Sequence, residues 1–259
     1  MKKKSFAIIG NPIAHSLSPI LHNYWFKKYN INAEYSLLNI DEKNLEKVIE
    51  NLRKKNLDGI NVTLPFKQKV IKFVDKLVND AQLTNSVNTI FLDNNNTLIG
   101  ENTDVYGLQA AYLKEVINTK NKKALIIGAG GVSPSVIFSL QKSKIQDISI
   151  TNRTQEKLIF LKKNFSFLKT IEWESLEKNL DKFDIIINAT SLGLKNGSDF
   201  QFNFNNVKKD LIYIDTIYNP LETKTLKFLK KNDIKTFNGL DMFVYQGQKS
   251  FYLWNKVNP

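Results

Sequence analysis

The rhythm of apolar and polar positions changes near residue 120. Before it, short apolar runs alternate with stretches of helical spacing. Residues 5–9 read as a strand, 19–29 as a helix, 33–39 as a strand and 45–54 as a helix. Residues 59–62 are a short buried strand ending at Thr63-Leu64-Pro65. Residues 87–92 and 97–100 predict a hairpin around the turn Asp93-Asn94-Asn95-Asn96. A helix then starts at Thr103, with Val105, Leu108, Tyr112 and Val116 on one face.

After a polar linker at 118–123, the runs 124–127, 148–151, 185–188 and 211–215 are apolar without alternation. That is the pattern of parallel strands buried on both faces. Between them lie helical sets: Val132, Val136, Ile137 and Leu140, then Leu158 and Leu161, then Leu226 and Leu229. Together they predict a doubly wound α/β domain of Rossmann type. Residues 239–254 put Leu240, Phe243, Val244, Gly247, Phe251 and Trp254 on one helical face, which needs a partner surface. The expected layout is an α/β fold of two domains. Residues 1–103 form the first, completed by a C-terminal helix at 239–259, and residues 104–238 form the second.

The 259 residues are 42% hydrophobic and 24% charged, which fits globular domains. No apolar run approaches the ~20 residues of a membrane helix. The basic start Met1-Lys2-Lys3-Lys4 precedes an apolar stretch at 5–10 too short for a signal peptide. With no cysteine in the chain, these features lead us to expect a cytoplasmic protein without disulfides or thiolate chemistry. Only His15 and His22 are present, so no metal site is expected. The net charge of +12 is spread along the whole chain. We read it as solvated surface with a compositional bias toward Lys, Asn and Ile, able to attract anionic small molecules, and not as a nucleic-acid interface.

Two kinds of candidate chemistry stand out. Strand 124–127 runs into Gly128-Ala129-Gly130-Gly131-Val132-Ser133-Pro134 and then a helix. Such a turn lets backbone N–H groups approach a pyrophosphate at the positive helix end, although a ligand-free glycine turn has the same sequence. Ser133 holds the third fingerprint position, where Gly or Ala is usual. At the next strand end, Asn152, Arg153, Thr154 and Lys157 stand where an NAD site places an acid. They offer donors and positive charge to a 2′-phosphate, which favours NADP. The ordinary alternative is a solvated helix start with Thr154 as N-cap.

The second kind is a set of polar clusters at strand ends. Ser16 and Ser18 lie before a helix that Pro19 can open, a geometry suited to a carboxylate or to double capping. His15 reads as a structural hydrogen-bonding residue. Asn61 and Thr63 share one face of a strand. Lys67 is expected at the start of a short helix, and Asp104 opens the long one. Taken singly, Lys67 is a surface lysine and Asp104 a first-turn helix acid. Val87-Asn88-Thr89 adds another amide and hydroxyl.

In order and spacing these pieces resemble the shikimate dehydrogenase family across nearly the whole chain. They are Gly-Asn-Pro-Ile-Ala-His-Ser-Leu-Ser-Pro at 10–19, Asn-Val-Thr-Leu-Pro-Phe-Lys at 61–67, Val-Asn-Thr at 87–89, Asn-Thr-Asp at 102–104 and Gly-Ala-Gly-Gly at 128–131. Asn-Arg-Thr at 152–154, Asn-Ala-Thr-Ser-Leu-Gly at 188–193, Tyr-Asn-Pro at 218–220, Asn-Gly-Leu-Asp-Met at 238–242 and Gln246 follow. The resemblance implies reversible NADPH reduction of 3-dehydroshikimate to shikimate, on the route to chorismate and the aromatic amino acids. It implies a substrate domain at the N-terminus, an NADP domain after it and an active site in the cleft between them.

By likeness, Ser16 and Ser18 hold the substrate carboxylate with Tyr218 nearby. Asn61, Thr63, Lys67, Asn88, Asp104 and Gln246 bind the ring hydroxyls and the reacting oxygen. Gly128, Ala129, Gly130, Gly131 and Val132 take the cofactor with Asn152, Arg153, Thr154 and Lys157, and Gly239 lies near the nicotinamide. Three places depart from the family pattern: Asn85-Ser86 where Gly-Ala is usual, Thr216 for a larger apolar residue, and Ser133-Pro134.

Hydride addition to a ketone builds negative charge on oxygen, so an acid must supply a proton. Lys67 can do so as an ammonium, with Asp104 orienting it or a substrate hydroxyl. Helix position would lower the pKa of the lysine while the pair's attraction raises it. The rivals are a quinate/shikimate dehydrogenase of broader specificity and a non-catalytic ligand-binding relative, which would be expected to lose Lys67 or Asp104. A small-molecule substrate, no nucleic-acid or membrane partner, and a monomer or homodimer complete the expectation.

Overall fold

The computed structural model describes residues 2–114, 118–194 and 198–259. The chain divides into two compact units, Met1–Gly107 with Val244–Pro259, and Leu108–Phe243.

The first unit is built on a six-stranded mixed sheet. Its elements are β1 (Lys4–Gly10), α1 (Ser18–Lys28), β2 (Ala33–Asn39), α2 (Leu45–Arg53), β3 (Gly59–Val62), β4 (Lys76–Leu77), α3 (Asp80–Thr84), β5 (Thr89–Leu92) and β6 (Leu98–Glu101). The strand order is β2-β1-β3-β5-β6-β4. β1 runs parallel to β2 and β3, while β5 is antiparallel to β3 and β6. Successive side chains of a strand point to opposite faces, so β1 serves two cores. Ala7 and Ile9 pack with Leu45, Ile49 and Leu52 of α2. Phe6 and Ile8 pack with Trp25 and Phe26 of α1 and with Phe251 of the C-terminal helix α8 (Leu240–Asn255).

α8 is seated by aromatic contact. Trp254 stacks on Phe6 at 5.0 Å between ring centroids, and Phe251 lies 5.2 Å from Phe26. Gly59 of β3 makes room for it, since a Cβ there would sit 2.5 Å from Trp254 Nε1. His22 of α1 is fully buried in the same cluster, stacked on Tyr35 at 4.4 Å. Neither of its ring nitrogens has a hydrogen-bond partner among the described residues. Burial without a counter-charge pushes its pKa down to about 3, so the ring is neutral.

The second unit is a six-stranded parallel sheet of order β12-β11-β10-β7-β8-β9. Its strands are β7 (Lys123–Ile127), β8 (Asp147–Thr151), β9 (Lys169–Thr170), β10 (Ile185–Asn188), β11 (Ile212–Asp215) and β12 (Lys235–Phe237). Helices α5 (Ser133–Lys142), α6 (Gln155–Asn164) and α7 (Lys224–Lys231) connect them. Numbered within the unit, this is the 3-2-1-4-5-6 order of a dinucleotide-binding fold, whose ligand crevice opens where the winding reverses. Here that point lies between β7 and β10.

Helix α4 (Asp104–Leu108) continues as one π-helical turn, Gln109–Leu113. The helix expected from Thr103 therefore starts one residue later and changes its winding, and Val116 lies outside the described residues. Lys67 is corrected: it occupies a turn two residues ahead of a 3₁₀ turn at Lys69–Phe73, not a helix N-terminus. Helix tuning of this lysine therefore has no basis. β4, α3, β9 and β12 have no counterpart in the sequence reading, because each is short and none carries a run of consecutive buried apolar residues.

Candidate active site

In the first unit, the ends of β3, β5 and β6 and the start of α4 carry the polar residues. Backbone pairing sets their registers. Val87 N–H donates to the Lys67 carbonyl (2.8 Å) and Asn88 N–H to the Glu101 carbonyl (3.1 Å), which draws three sequence clusters together. Lys67 and Asp104, 37 residues apart, then meet as a buried ion pair, Nζ to Oδ2 at 2.5 Å. Their side chains are only 11% and 8% exposed. Asn88 Nδ2 donates to the other carboxylate oxygen of Asp104 at 2.8 Å. A desolvated pair is tolerated when further hydrogen bonds support it, and Asn88 Nδ2 supplies one to the carboxylate.

Asn61 and Asn88 are both buried and held in defined orientations. Asn61 Oδ1 accepts from Tyr35 Oη (2.7 Å), and its Nδ2 donates to the Asn88 carbonyl (3.1 Å), Thr89 Oγ1 (3.1 Å) and Ser250 Oγ (3.0 Å). Asn88 Oδ1 accepts from Thr103 N–H at 2.7 Å, and Thr89 Oγ1 and Thr103 Oγ1 lie 3.1 Å from it. Gln246 of α8 comes within 3.5 Å of Asn88 Nδ2. Below this layer, Asn102 caps α4, its Oδ1 accepting from Asp104 N–H (3.1 Å) and its Nδ2 donating to Thr84 Oγ1 and the Ser86 carbonyl. Burial raises the pKa of neighbouring Glu101, against hydrogen bonds from Asn79 Nδ2 and Asn102 N–H.

Ser16 and Ser18 stand together at the start of α1. Ser16 Oγ donates to Ser18 Oγ (3.2 Å) and accepts from Ser18 N–H (3.3 Å). The cap position is Leu17, with no capping side chain, so double capping does not explain the serines. Thr63 lies one residue past β3, its methyl 2.5 Å from where a Gly10 Cβ would be, which sets the serine loop beside the end of β3. His15 is exposed and not a buried structural residue. Asn85, in place of the usual glycine, adopts φ 47° and ψ 44°, a left-handed conformation that asparagine tolerates best after glycine. That departure preserves the turn.

Tyr218 and Gly239 belong to the second unit. Tyr218 stacks on Phe243 at 4.4 Å. Gly239 has no space for a side chain, since a Cβ would meet the Thr216 carbonyl oxygen at 2.3 Å. Thr216 turns its hydroxyl inward to donate to the Asn188 carbonyl (2.9 Å). Asp215, beside it, is fully buried and accepts from Asn188 Nδ2, Ile217 N–H and Thr223 Oγ1. Burial outweighs those bonds and lifts its pKa to about 6.

The glycine loop follows β7. Gly128 has φ +113°, and a Cβ there would strike Thr190 Cγ2 at 2.7 Å and Ala189 backbone at 2.9 Å, so only glycine fits. At Gly130 the nearest atom to a Cβ is 3.7 Å away, leaving open approach to the backbone. Ser133 Oγ donates to the Gly128 carbonyl (2.9 Å), which explains a serine at the third fingerprint position: it closes the loop from within. Asn152 Oδ1 accepts from Ala129 N–H (3.0 Å) and its Nδ2 donates to the Thr154 carbonyl (2.8 Å), so it braces the two loops against each other. Arg153, Thr154 and Lys157 are exposed beside it, and Thr154 makes no side-chain cap. A narrow glycine turn at a helix start with two exposed cations beside it fits a dinucleotide carrying a 2′-phosphate.

Residues 8–90 match the family model described as the shikimate dehydrogenase substrate binding domain, and residues 111–217 match that of shikimate / quinate 5-dehydrogenase. Over 99% of this chain and 95% of the relative, the sequence is 48% identical to the shikimate dehydrogenase (NADP(+)) of Pelagibacter ubique. The chain belongs to the shikimate dehydrogenase family. Among solved members, the shikimate dehydrogenase of Aquifex aeolicus superposes with a TM-score of 0.91 at 35% identity, over 99% of this chain and 94% of that one. The Thermus thermophilus shikimate 5-dehydrogenase, solved in complex with NADP(H) and shikimate, gives 0.88 at 28% identity, over 99% and 95%. Ser250 and Tyr35 are the network members that reading shikimate dehydrogenase motifs missed. The spacing of Ser250, four residues after Gln246 on one helix, is the signal that could have found it.

Proposed function

We propose that this chain catalyses the reversible, NADP-linked interconversion of 3-dehydroshikimate and shikimate. The buried Lys67–Asp104 pair carries the reading, because an ammonium held by a carboxylate at 2.5 Å is a positioned acid beside hydrogen-bonding amides. NADPH, when bound, supplies the hydride. As negative charge grows on the carbonyl oxygen, Lys67 Nζ donates the proton, and in the reverse direction it takes the hydroxyl proton back. Asp104 orients Lys67 and, with Asn88, a ring hydroxyl. Ser16 and Ser18 hold the carboxylate with Tyr218, while Asn61, Thr63 and Gln246 take the remaining hydroxyls. Gly128, Ala129, Gly130, Gly131 and Val132 hold the pyrophosphate through backbone N–H groups. Arg153, Thr154 and Lys157 take the 2′-phosphate, with Asn152 bracing their loop, and Gly239 leaves space at the nicotinamide. The domain assignment follows: residues 1–103 with 239–259 bind substrate, and 104–238 bind NADP. The cysteine-free chain suits a reducing cytoplasm, and we read it as a monomer or homodimer, which sedimentation equilibrium distinguishes from higher assemblies.

Reduction of NADP with shikimate and with quinate, each repeated with NAD, tests the proposal. Shikimate with NADP should give the highest kcat/KM. A preference for quinate would move the chain to the broader-specificity reading, and an NADP/NAD ratio near one would refute the role of the 152–157 loop. Lys67→Ala should lower kcat about 10²-fold or more. Retention of kcat within a few-fold, with weakened binding, would remove Lys67 from proton transfer.

A further inference from the structure

Three hydroxyls meet behind the substrate amides of the first unit. Ser250 Oγ lies 2.8 Å from Thr89 Oγ1 and 3.1 Å from Thr103 Oγ1, which are 3.3 Å from each other. All three residues are fully buried. Three hydroxyls have three protons to place, and their acceptors are few, so the directions can be worked out.

Ser250 donates to the Gln246 carbonyl one turn back on α8 (3.1 Å). Its oxygen is then an acceptor only, with two lone pairs. One receives Asn61 Nδ2–H at 3.0 Å, and the other receives a proton from Thr89 or Thr103. The remaining threonine proton goes to Asn88 Oδ1, 3.1 Å from both hydroxyls. Asn88 Oδ1 also takes Thr103 N–H, so its acceptor capacity faces the protein. A flipped Asn88 would aim its oxygen at the Asp104 carboxylate and its NH₂ at an N–H group, and both contacts repel. A flipped Asn61 would aim its oxygen at the Asn88 carbonyl, which repels as well.

From this we infer that Ser250 is a positioning residue for substrate recognition: its hydroxyl holds Asn61 directly and Asn88 through the Thr89 and Thr103 hydroxyls, so that Asn61 presents a carbonyl acceptor and Asn88 an NH₂ donor. Asn61 has spent its donors inside the protein and keeps one lone pair on Oδ1 beyond the one used by Tyr35. Asn88 has spent its acceptor, and its NH₂ reaches Asp104 Oδ1 at 2.8 Å, Thr103 Oγ1 at 3.0 Å and Gln246 Oε1 at 3.5 Å, so a ring hydroxyl takes its N–H in exchange for one of the two longer contacts. A ring with two hydroxyls is read by this pair as one donor and one acceptor. A ligand that offers two acceptors, such as a diketone or diether, is mismatched at Asn61. The inference rests on the reading of Asn61 and Asn88 as ring-hydroxyl ligands.

Side-chain amide NMR of the full chain tests the positioning without any turnover. Wild-type Asn61 and Asn88 should show ordered, slowly exchanging NH₂ groups. Ser250→Ala, which removes one oxygen and no carbon, should speed exchange at both by about tenfold, the scale of one lost hydrogen bond. Tyr35→Phe should move Asn61 alone, and it serves as the second variant if Ser250→Ala folds poorly. In the shikimate assay, Ser250→Ala should lower kcat/KM about tenfold, mostly through KM for shikimate, with KM for NADP within about twofold. Ser250→Cys, which keeps a weak donor and acceptor, should fall between the two. Unchanged amide exchange in Ser250→Ala overturns the inference even in an active enzyme, as does a lowered melting temperature with unaltered KM. Ordered, Ser250-dependent amides in a chain that oxidises neither shikimate nor quinate would uphold the positioning and refute the proposed function instead.

Discussion

Lys67 and Asp104 show what residue-scale chemistry costs the fold. Each is nearly buried, and each is tolerable because the other is present. Asp104→Asn leaves the lysine ammonium in a dry site with a neutral partner. It should lower stability by about 3–5 kcal/mol and reduce kcat/KM by at least about 10². Adding Lys67→Met should recover much of the stability and none of the activity, because a buried pair replaced as a whole is often neutral. Urea unfolding of the single and double variants decides it. A double variant no more stable than the single one would show that the pair's electrostatics are not what holds this region. The pair is the clearest case of chemistry that residue types alone left open. A lone lysine in a turn reads as surface, and it is the Val87–Lys67 backbone bond, together with the ion pair to Asp104, that holds it in the buried cluster.

At the scale of elements, α8 decides the shape of the substrate side. Its aromatic residues dock against β1 and α1, and the same helix brings Gln246 and Ser250 to the buried amides. Gly59 is the point where that docking is tightest. Gly59→Ala would put a methyl 2.5 Å from Trp254 Nε1, far inside contact distance. We expect a loss of about 1–3 kcal/mol as the helix shifts, with KM for shikimate raised and KM for NADP unaltered. Urea denaturation and steady-state kinetics read the two effects separately. Wild-type stability in this variant would mean that the indole moves aside freely. Periodicity announced α8 well, because six apolar positions shared one face. It could not announce Ser250, a small polar residue whose importance comes from what lies opposite it.

Across the whole molecule, two buried ionisable groups pull stability in opposite directions with pH. His22, in the first unit, has its pKa depressed by burial from 6.5 to about 3. The unfolded chain binds this proton more readily, so His22 costs the first unit stability as pH falls from about 6.5 toward 3, against an opposite contribution from Glu101, whose pKa burial raises. Asp215, in the second unit, has its pKa raised from 3.8 to about 6, again by burial. Its native carboxyl holds the proton more tightly, so the second unit gains stability as pH falls from about 6 toward 3.8. Hydrogen exchange followed by mass spectrometry at pH 7 and pH 5 should show β1 and α1 less protected at pH 5, and β10 and β11 more protected, after correction for intrinsic rates. His22→Phe should flatten the first trend and Asp215→Asn the second. Parallel trends in both units, or slopes indifferent to these substitutions, would rule the two groups out.

The division into units marks the limit of sequence reading at this largest scale. The cuts fall inside helices, at Gly107/Leu108 within α4 and Phe243/Val244 within α8, where composition does not change. The unbroken apolar runs of β1, β7, β8, β10 and β11 were legible because burial on both faces leaves a continuous trace in one chain segment. The glycine loop and the cationic 152–157 segment were legible for a similar reason: φ +113° at Gly128 and a missing acid are local demands on local residues. Ordered motifs likewise sufficed to place the chain in its family. Tertiary structure alone decided which polar residues lose their water. Asn61, Asn88, Thr89, Thr103, Asp104 and Ser250 are buried together, and their hydrogen-bond directions follow from that shared exclusion of solvent. A sequence lists donors and acceptors, but pairing between residues as far apart as 61 and 250 arises only when folding brings them together away from water.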